Sequence, residues 1–72
     1  MAFELWNRES ANIIGEFSQE DEALAFVYAS VEKHGPDVVL SWALAFEDDE
    51  GDTHSIAIGE DLLRRSMQPV PA

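Results

Sequence analysis

The feature that most constrains the fold is one helical segment in the middle of the chain, which separates two segments with strand character. Ser18 is a candidate N-cap, and Asp21 follows three residues later in an S-x-x-[DE] arrangement typical of a helix start. Gly35 and Pro36 predict the end of the helix, because glycine favours the C′ conformation and proline cannot continue a helix. The predicted inward stripe consists of Ala23, Leu24, Val27 and Val31.

The residues before this helix predict a β-hairpin. Residues 3–7 alternate and are rich in aromatic side chains, and residues 13–17 predict the return strand. The segment between them, residues 8–12, is mostly polar, and its five residues are within the usual length of a hairpin loop.

A second hairpin is predicted after the helix. Residues 38–46 alternate between bulky and small side chains and predict one long strand. Residues 47–52 predict a polar loop, residues 53–58 a fourth strand, and residues 60–67 a short helix.

The resulting ββαββα order predicts an α+β two-layer sandwich. We expect a four-stranded antiparallel sheet made of two β-hairpins, with one main helix across it and a short C-terminal helix. Residues 1–67 are predicted to form a single domain, and residues 68–72 a frayed C-terminal tail.

The small size of the chain favours association. A core built from 72 residues supplies about 3–5 kcal/mol of net stability, and no cysteine is present to form a disulfide. We therefore expect a homodimer. The lack of cysteines, and of a cationic segment at the first residues, predicts a cytoplasmic location.

The charge is strongly negative, with 15 acidic and 4 basic residues and a net charge of −11. Nucleic acid and anionic membranes repel such a surface, so we expect a protein partner, with no direct nucleic-acid binding and no membrane contact. Simple solubility is an equally good explanation of the acidity, and a salt-loving host is a further alternative.

No residue pattern predicts a catalytic, cofactor or metal site. With Gly51 at the sixth position of a calcium loop, Phe46 and Ala57 would occupy ligand positions that require oxygen. His34 and His54 have no spacing that indicates a zinc site, and nearly every carboxylate lies in a turn or a polar run. The chain is therefore predicted not to be an enzyme and to need no cofactor.

The alternation of the strands divides the apolar residues between two faces of the sheet. The face toward the helix is predicted to carry Phe3, Leu5, Ile13, Phe17, Leu40, Trp42, Leu44, Phe46, Ile56 and Ile58. A candidate interface consists of the apolar residues left on the opposite face, together with Phe26 of the helix: Trp6, Ile14, Phe26, Val39, Ala43, Ala45 and Ala57. The alternative is that the C-terminal helix covers that opposite face through Leu62, Leu63 and Met67.

Residues 12–24, Asn-Ile-Ile-Gly-Glu-Phe-Ser-Gln-Glu-Asp-Glu-Ala-Leu, carry two resemblances. The segment resembles the strand–cap–helix region of small uncharacterised bacterial proteins, which implies a ββαββα domain and no known activity. It also resembles part of HicB-type antitoxins, although the chain lacks their G-x-x-P-x-L-P-G-C region. Neither resemblance transfers functional residues.

These observations predict a small acidic protein-interaction domain of unknown biological role that self-associates through an apolar sheet face. The alternative is an acidic inhibitor or antitoxin-like protein that blocks a basic, nucleic-acid-binding partner. The candidate acidic partner surface consists of Glu20, Asp21, Glu22, Glu47, Asp48, Asp49, Glu50 and Asp52.

Overall fold

The computed structural model describes residues 2–67 and confirms the predicted α+β fold class. Four antiparallel strands form one sheet in the order β2-β1-β3-β4. The elements in chain order are β1 (Ala2–Asn7), β2 (Asn12–Phe17), α1 (Glu20–His34), a 3₁₀ helix (Pro36–Ser41), β3 (Trp42–Glu47), β4 (Thr53–Ile58) and α2 (Glu60–Met67). The predicted tail, residues 68–72, lies outside the described residues.

Helix α1 ends where the sequence predicts, and its N-cap lies one residue later than predicted. Gly35 has φ 93°, and its N–H donates to the carbonyl of Val31 at 2.8 Å. The N-cap is Gln19, so the assignment of Ser18 to this position is wrong. The Ser18 hydroxyl instead donates to a carboxylate oxygen of Glu22 at 2.7 Å. Ser18 therefore stabilises the first turn of α1 through a hydrogen bond to the Glu22 side chain, and not through a bond to a backbone N–H.

The predicted strand over residues 38–46 is wrong in its first half, which forms the 3₁₀ helix. The cause is a lack of a pairing partner. Strand β1 pairs with β3 only as far as Asn7 and Trp42, and its ladder ends with one bond from the Arg8 N–H to the Ser41 carbonyl. Before that point a strand would leave backbone groups unpaired, and Pro36 favours a helical first turn.

Both outer strands contain a bulge. Leu5 pairs with Gly15 and Trp6 with Ile13, so Ile14 is an extra residue in β2. Strand β4 has an extra residue, Ile56, at the equivalent position after the inner-strand Leu44. The two ββα halves therefore repeat the same arrangement, although no repeat is evident at the level of individual residues in the sequence.

The core lies between the sheet and both helices. Leu5 and Leu44 are directly opposite each other at its centre and are fully buried. The cluster also contains Ala23, Val27, Val39, Trp42, Ala57 and Leu62. Because Leu62 of α2 belongs to this cluster, α2 covers the same face as α1, and the alternative that α2 covers the opposite face is wrong. We call the opposite side of the sheet the open face.

Three local irregularities explain every residue assigned to the wrong side of the sheet. The bulge in β2 places Ile14 against the core and Ile13 on the open face, and the bulge in β4 does the same for Ala57 and Ile58. In the 3₁₀ helix, Val39 is fully buried in the core and Leu40 is exposed. In each case two neighbouring residues exchange environments.

Candidate functional site

The open face carries a continuous apolar row that crosses all four strands. Direct pairing across the sheet places Ile13 beside Trp6, Trp6 beside Ala43, and Ala43 beside Ile58. Residues that are directly opposite on antiparallel strands point to the same face. We call these four residues the apolar row. Ile13 and Ile58 at its two ends are 43% and 41% exposed.

Trp6 lies at the centre of this face and is held by a hydrogen bond. Its indole Nε1 donates to a carboxylate oxygen of Glu4 at 3.2 Å, two residues earlier on the same strand. The bond directs the indole along β1 and leaves the ring partly exposed. A tryptophan with a satisfied N–H and an exposed ring surface is typical of residues that dominate protein interfaces.

A polar row follows the apolar row on the open face. Glu16, Glu4, Ala45 and Ser55 are consecutive partners across the four strands. Ala45 is buried between its two larger neighbours, Glu4 and Ser55. The open face is therefore divided into an apolar region and an acidic region, which the even alternation of the strands does not reveal.

The structure keeps only part of the predicted interface together. Trp6, Ala43 and Ala45 lie on the open face, whereas Ile14, Val39 and Ala57 pack on the core side. Phe26 is 40% exposed and lies on the helix side, with its ring centroid 5.6 Å from that of Phe17 and 6.3 Å from that of Trp42. It belongs to an aromatic cluster that extends the core.

Sequence reasoning missed four residues of this surface: Ile13, Ile58, Glu4 and Glu16. For Ile13 the one local signal is Gly15, because an isolated glycine within a strand often accompanies a bulge. The sequence shows Glu4 and Glu16 only as residues of two predicted strands, because their pairing depends on the register of the hairpin. No local signal in the sequence marks the bulge at Ile56.

The candidate acidic partner surface gathers at one end of the sheet. Strands β2 and β3 both run antiparallel to β1, so both end at the same side. Helix α1 begins after β2, and the β3–β4 loop follows β3. This acidic end therefore contains both Glu20–Glu22 and residues 47–52. Arg65 Nη1 approaches Glu20 Oε1 to 3.3 Å and partly neutralises it.

Asp48, at the acidic end, holds the β3–β4 loop together through its side chain. Asp48 Oδ1 accepts hydrogen bonds from the backbone N–H groups of Glu50 and Asp52 at 2.9 and 3.0 Å. Its Oδ2 lies 3.0 Å from Nε2 of His54. The hydrogen bond with His54 is the main cause that holds the pKa of Asp48 below its ordinary value, with smaller contributions from the two backbone donors. Gly51 has φ 86° and completes the turn.

Potential metal ligands do not cluster in the described part of the chain. No three side chains of His, Asp or Glu within residues 2–67 come together as a metal site. A shallow cleft between β4 and α2 is lined by Ile56, Asp61, Arg64 and Arg65. Arg64 and Asp61 are 3.4 Å apart there and belong to one helix turn, so they neutralise each other.

Comparisons with known proteins leave both resemblances as predictions. No family model, no curated protein and no solved structure matches this chain. Among residues 2–67, neither helix has the length and apolar character needed to cross a membrane. Evidence about function therefore comes from the surfaces described above.

Proposed function

We propose that this chain is a small acidic protein-interaction domain that self-associates through the open face of its sheet. The apolar row is the observation that carries the proposal. A sheet face in contact with water normally carries polar side chains, whereas here two isoleucines, an alanine and a tryptophan adjoin one another across the full width. A second copy is the simplest protein that brings a complementary apolar row.

The position of both helices supports this proposal. Helix α2 contributes Leu62 to the same core as α1, so no element within residues 2–67 packs on the open face. The cysteine-free composition fits a cytoplasmic location, which we include in the proposal.

The proposal is tested by comparing Ile58→Lys with Tyr28→Lys. Both replace an exposed apolar side chain by a cation, but Ile58 lies at the end of the apolar row and Tyr28 lies on α1, 43% exposed. Sedimentation equilibrium from about 10 µM to 1 mM should show a dimer for the wild type and Tyr28→Lys. Ile58→Lys should be a monomer, because dimerisation would bury an unpaired charge.

A wild type that stays monomeric throughout this concentration range contradicts the proposal. Equal association of the two variants contradicts it as well, because a role of the open face requires that only Ile58→Lys weakens the dimer. Circular dichroism of each variant establishes that the fold is retained.

A second candidate function is inhibition of a basic, nucleic-acid-binding protein by the acidic end. The observation that favours it is the convergence of residues 20–22 and 47–52 at one side of the sheet. Such binding should weaken steeply as salt rises from about 50 to 300 mM. The reversal of Asp21 and Glu22 to lysine should abolish it, whereas Glu9→Lys, at the opposite end of β1, should leave it unchanged.

A further inference from the structure

The open face has a charge pattern in addition to its apolar row. Glu4 and Glu16 lie on one side of the row, two positions from Trp6 along β1 and opposite each other across the β1–β2 pair. Arg8 lies on the other side. Strand β1 itself ends at Asn7, but the Arg8 backbone N–H donates to the Ser41 carbonyl at 2.7 Å and extends the β1–β3 ladder by one residue. Strand alternation carried one residue further puts Arg8 on the same face as Trp6.

The two glutamates form an unfavourable pair within one molecule. Like charges directly opposite on neighbouring strands destabilise a sheet, and Glu4 and Glu16 are such a pair. Neither glutamate forms a salt bridge with a cation among the described residues, and Arg8 has no acidic partner there either. The same face therefore carries two glutamates without a cationic partner and one arginine without an acidic partner within residues 2–67.

From this pattern we propose that two copies stack their open faces antiparallel, about a two-fold axis that runs along the apolar row. Arg8 of one copy then lies over Glu4 and Glu16 of the other, and the same contact recurs on the other side of the axis. This arrangement rests on the proposed self-association and specifies its geometry. It places the row of each copy on the row of the other.

The distances along β1 support this axis. Residues two apart on a strand are about 7 Å apart, so Arg8 and Glu4 lie at nearly equal distances on either side of Trp6. A half-turn about the row therefore exchanges their positions. A two-fold axis parallel to the strands would instead bring both glutamate pairs together and place the two acidic ends side by side, which charge repulsion opposes.

The size of the face predicts a weak dimer. Four strands about 4.8 Å apart and about 20 Å long give a projected area of roughly 400 Å² for each copy. The total buried area of about 800–1,000 Å² is at the lower limit of specific interfaces. We therefore expect dissociation in the micromolar range and measurable dependence on salt.

The test is a charge reversal with rescue, followed by sedimentation equilibrium in low salt. Arg8→Glu brings three carboxylates together at each contact and should weaken the dimer by at least about tenfold. In the double variant Arg8→Glu with Glu16→Arg, each contact again contains one cation and two carboxylates, with the cation now at position 16. The dissociation constant should return to within about threefold of the wild type.

Two controls separate this contact from the effect of net charge. Arg64→Glu changes the net charge as Arg8→Glu does, but Arg64 lies on α2 and should leave the dimer within about twofold of the wild type. Glu32→Arg, on α1, restores the net charge of the Arg8→Glu variant without placing a cation on the open face. It should not rescue association.

The outcomes distinguish the arrangement from the proposed function. A dimer that Ile58→Lys dissociates but Arg8→Glu leaves unchanged overturns the antiparallel arrangement and retains self-association through the open face. Equal weakening by Arg8→Glu and Arg64→Glu, or equal rescue by Glu32→Arg and Glu16→Arg, also overturns the arrangement. A monomeric wild type overturns both proposals.

Discussion

His54 Nε2 and Asp48 Oδ2 lie 3.0 Å apart across the β3–β4 hairpin, which links the first residue of the loop to the strand that follows it. The same carboxylate accepts the backbone N–H groups of Glu50 and Asp52 through its other oxygen. One side chain therefore closes a loop in which five of the six residues from 47 to 52 are acidic.

This contact predicts the acid titration of the loop. Its hydrogen bonds lower the pKa of Asp48 in the folded protein relative to the ordinary value of 3.8. The stabilisation they provide is therefore fully present above the ordinary pKa and is lost as the pH falls through the lower folded pKa. The carboxyl ¹³C resonance of Asp48 should titrate with a midpoint below 3.8.

The histidine should account for most of that shift. His54→Ala removes its largest cause and should raise the Asp48 midpoint toward 3.8. His34→Ala serves as the control, because His34 ends α1 and makes no bond to the loop. A wild-type midpoint at or above 3.8, or equal shifts in the two variants, would show that the contact does not stabilise the charged carboxylate.

The change from 3₁₀ helix to strand at Ser41–Trp42 predicts different costs for two leucines. Leu44 is fully buried against Leu5, so Leu44→Ala should lower the free energy of unfolding by about 2–5 kcal/mol. Leu40, 47% exposed, should tolerate alanine with a loss of no more than about 0.5 kcal/mol. Urea denaturation measures both, and similar losses would indicate that the two residues share one face.

The left-handed backbone of Ala11 predicts a stabilising substitution. Ala11 has φ 58° in the β1–β2 turn, a conformation that costs a residue with a Cβ about 1 kcal/mol more than glycine. Ala11→Gly should therefore stabilise the protein by up to about 1 kcal/mol, whereas the same change at Ala29, exposed within α1, should destabilise it by about 1 kcal/mol. Thermal denaturation should show melting temperatures that change in opposite directions, and a loss of stability in both variants would contradict the turn geometry.

The sequence predicts the elements of this fold more reliably than the faces of its sheet. Helix α2 has the predicted bounds, and α1 ends at Gly35 because glycine and proline act through the local backbone. The faces depend on pairing between strands, which local periodicity does not encode. One extra residue in a strand moves every later side chain to the other side, as at Ile14 and Ile56.

The sequence predicts the members of the candidate site whose face follows from regular alternation along a strand. Alternation places Trp6 and Ala43 on the open face correctly, because no register shift intervenes between β1 and β3. Ile13 and Ile58 complete the row only after the bulges are known. The opposition of Glu4 and Glu16 requires the hairpin register, so the charge pattern of the face emerges from tertiary structure alone.

The paired bulges have a consequence for how large an assembly can grow. An exposed, regular edge strand is a template on which further chains add without limit, and this sheet has two outer strands. The extra isoleucines interrupt the spacing of the backbone donors and acceptors at both outer edges. Lateral growth of the sheet into fibrils is thereby disfavoured, although 46% of the residues are hydrophobic.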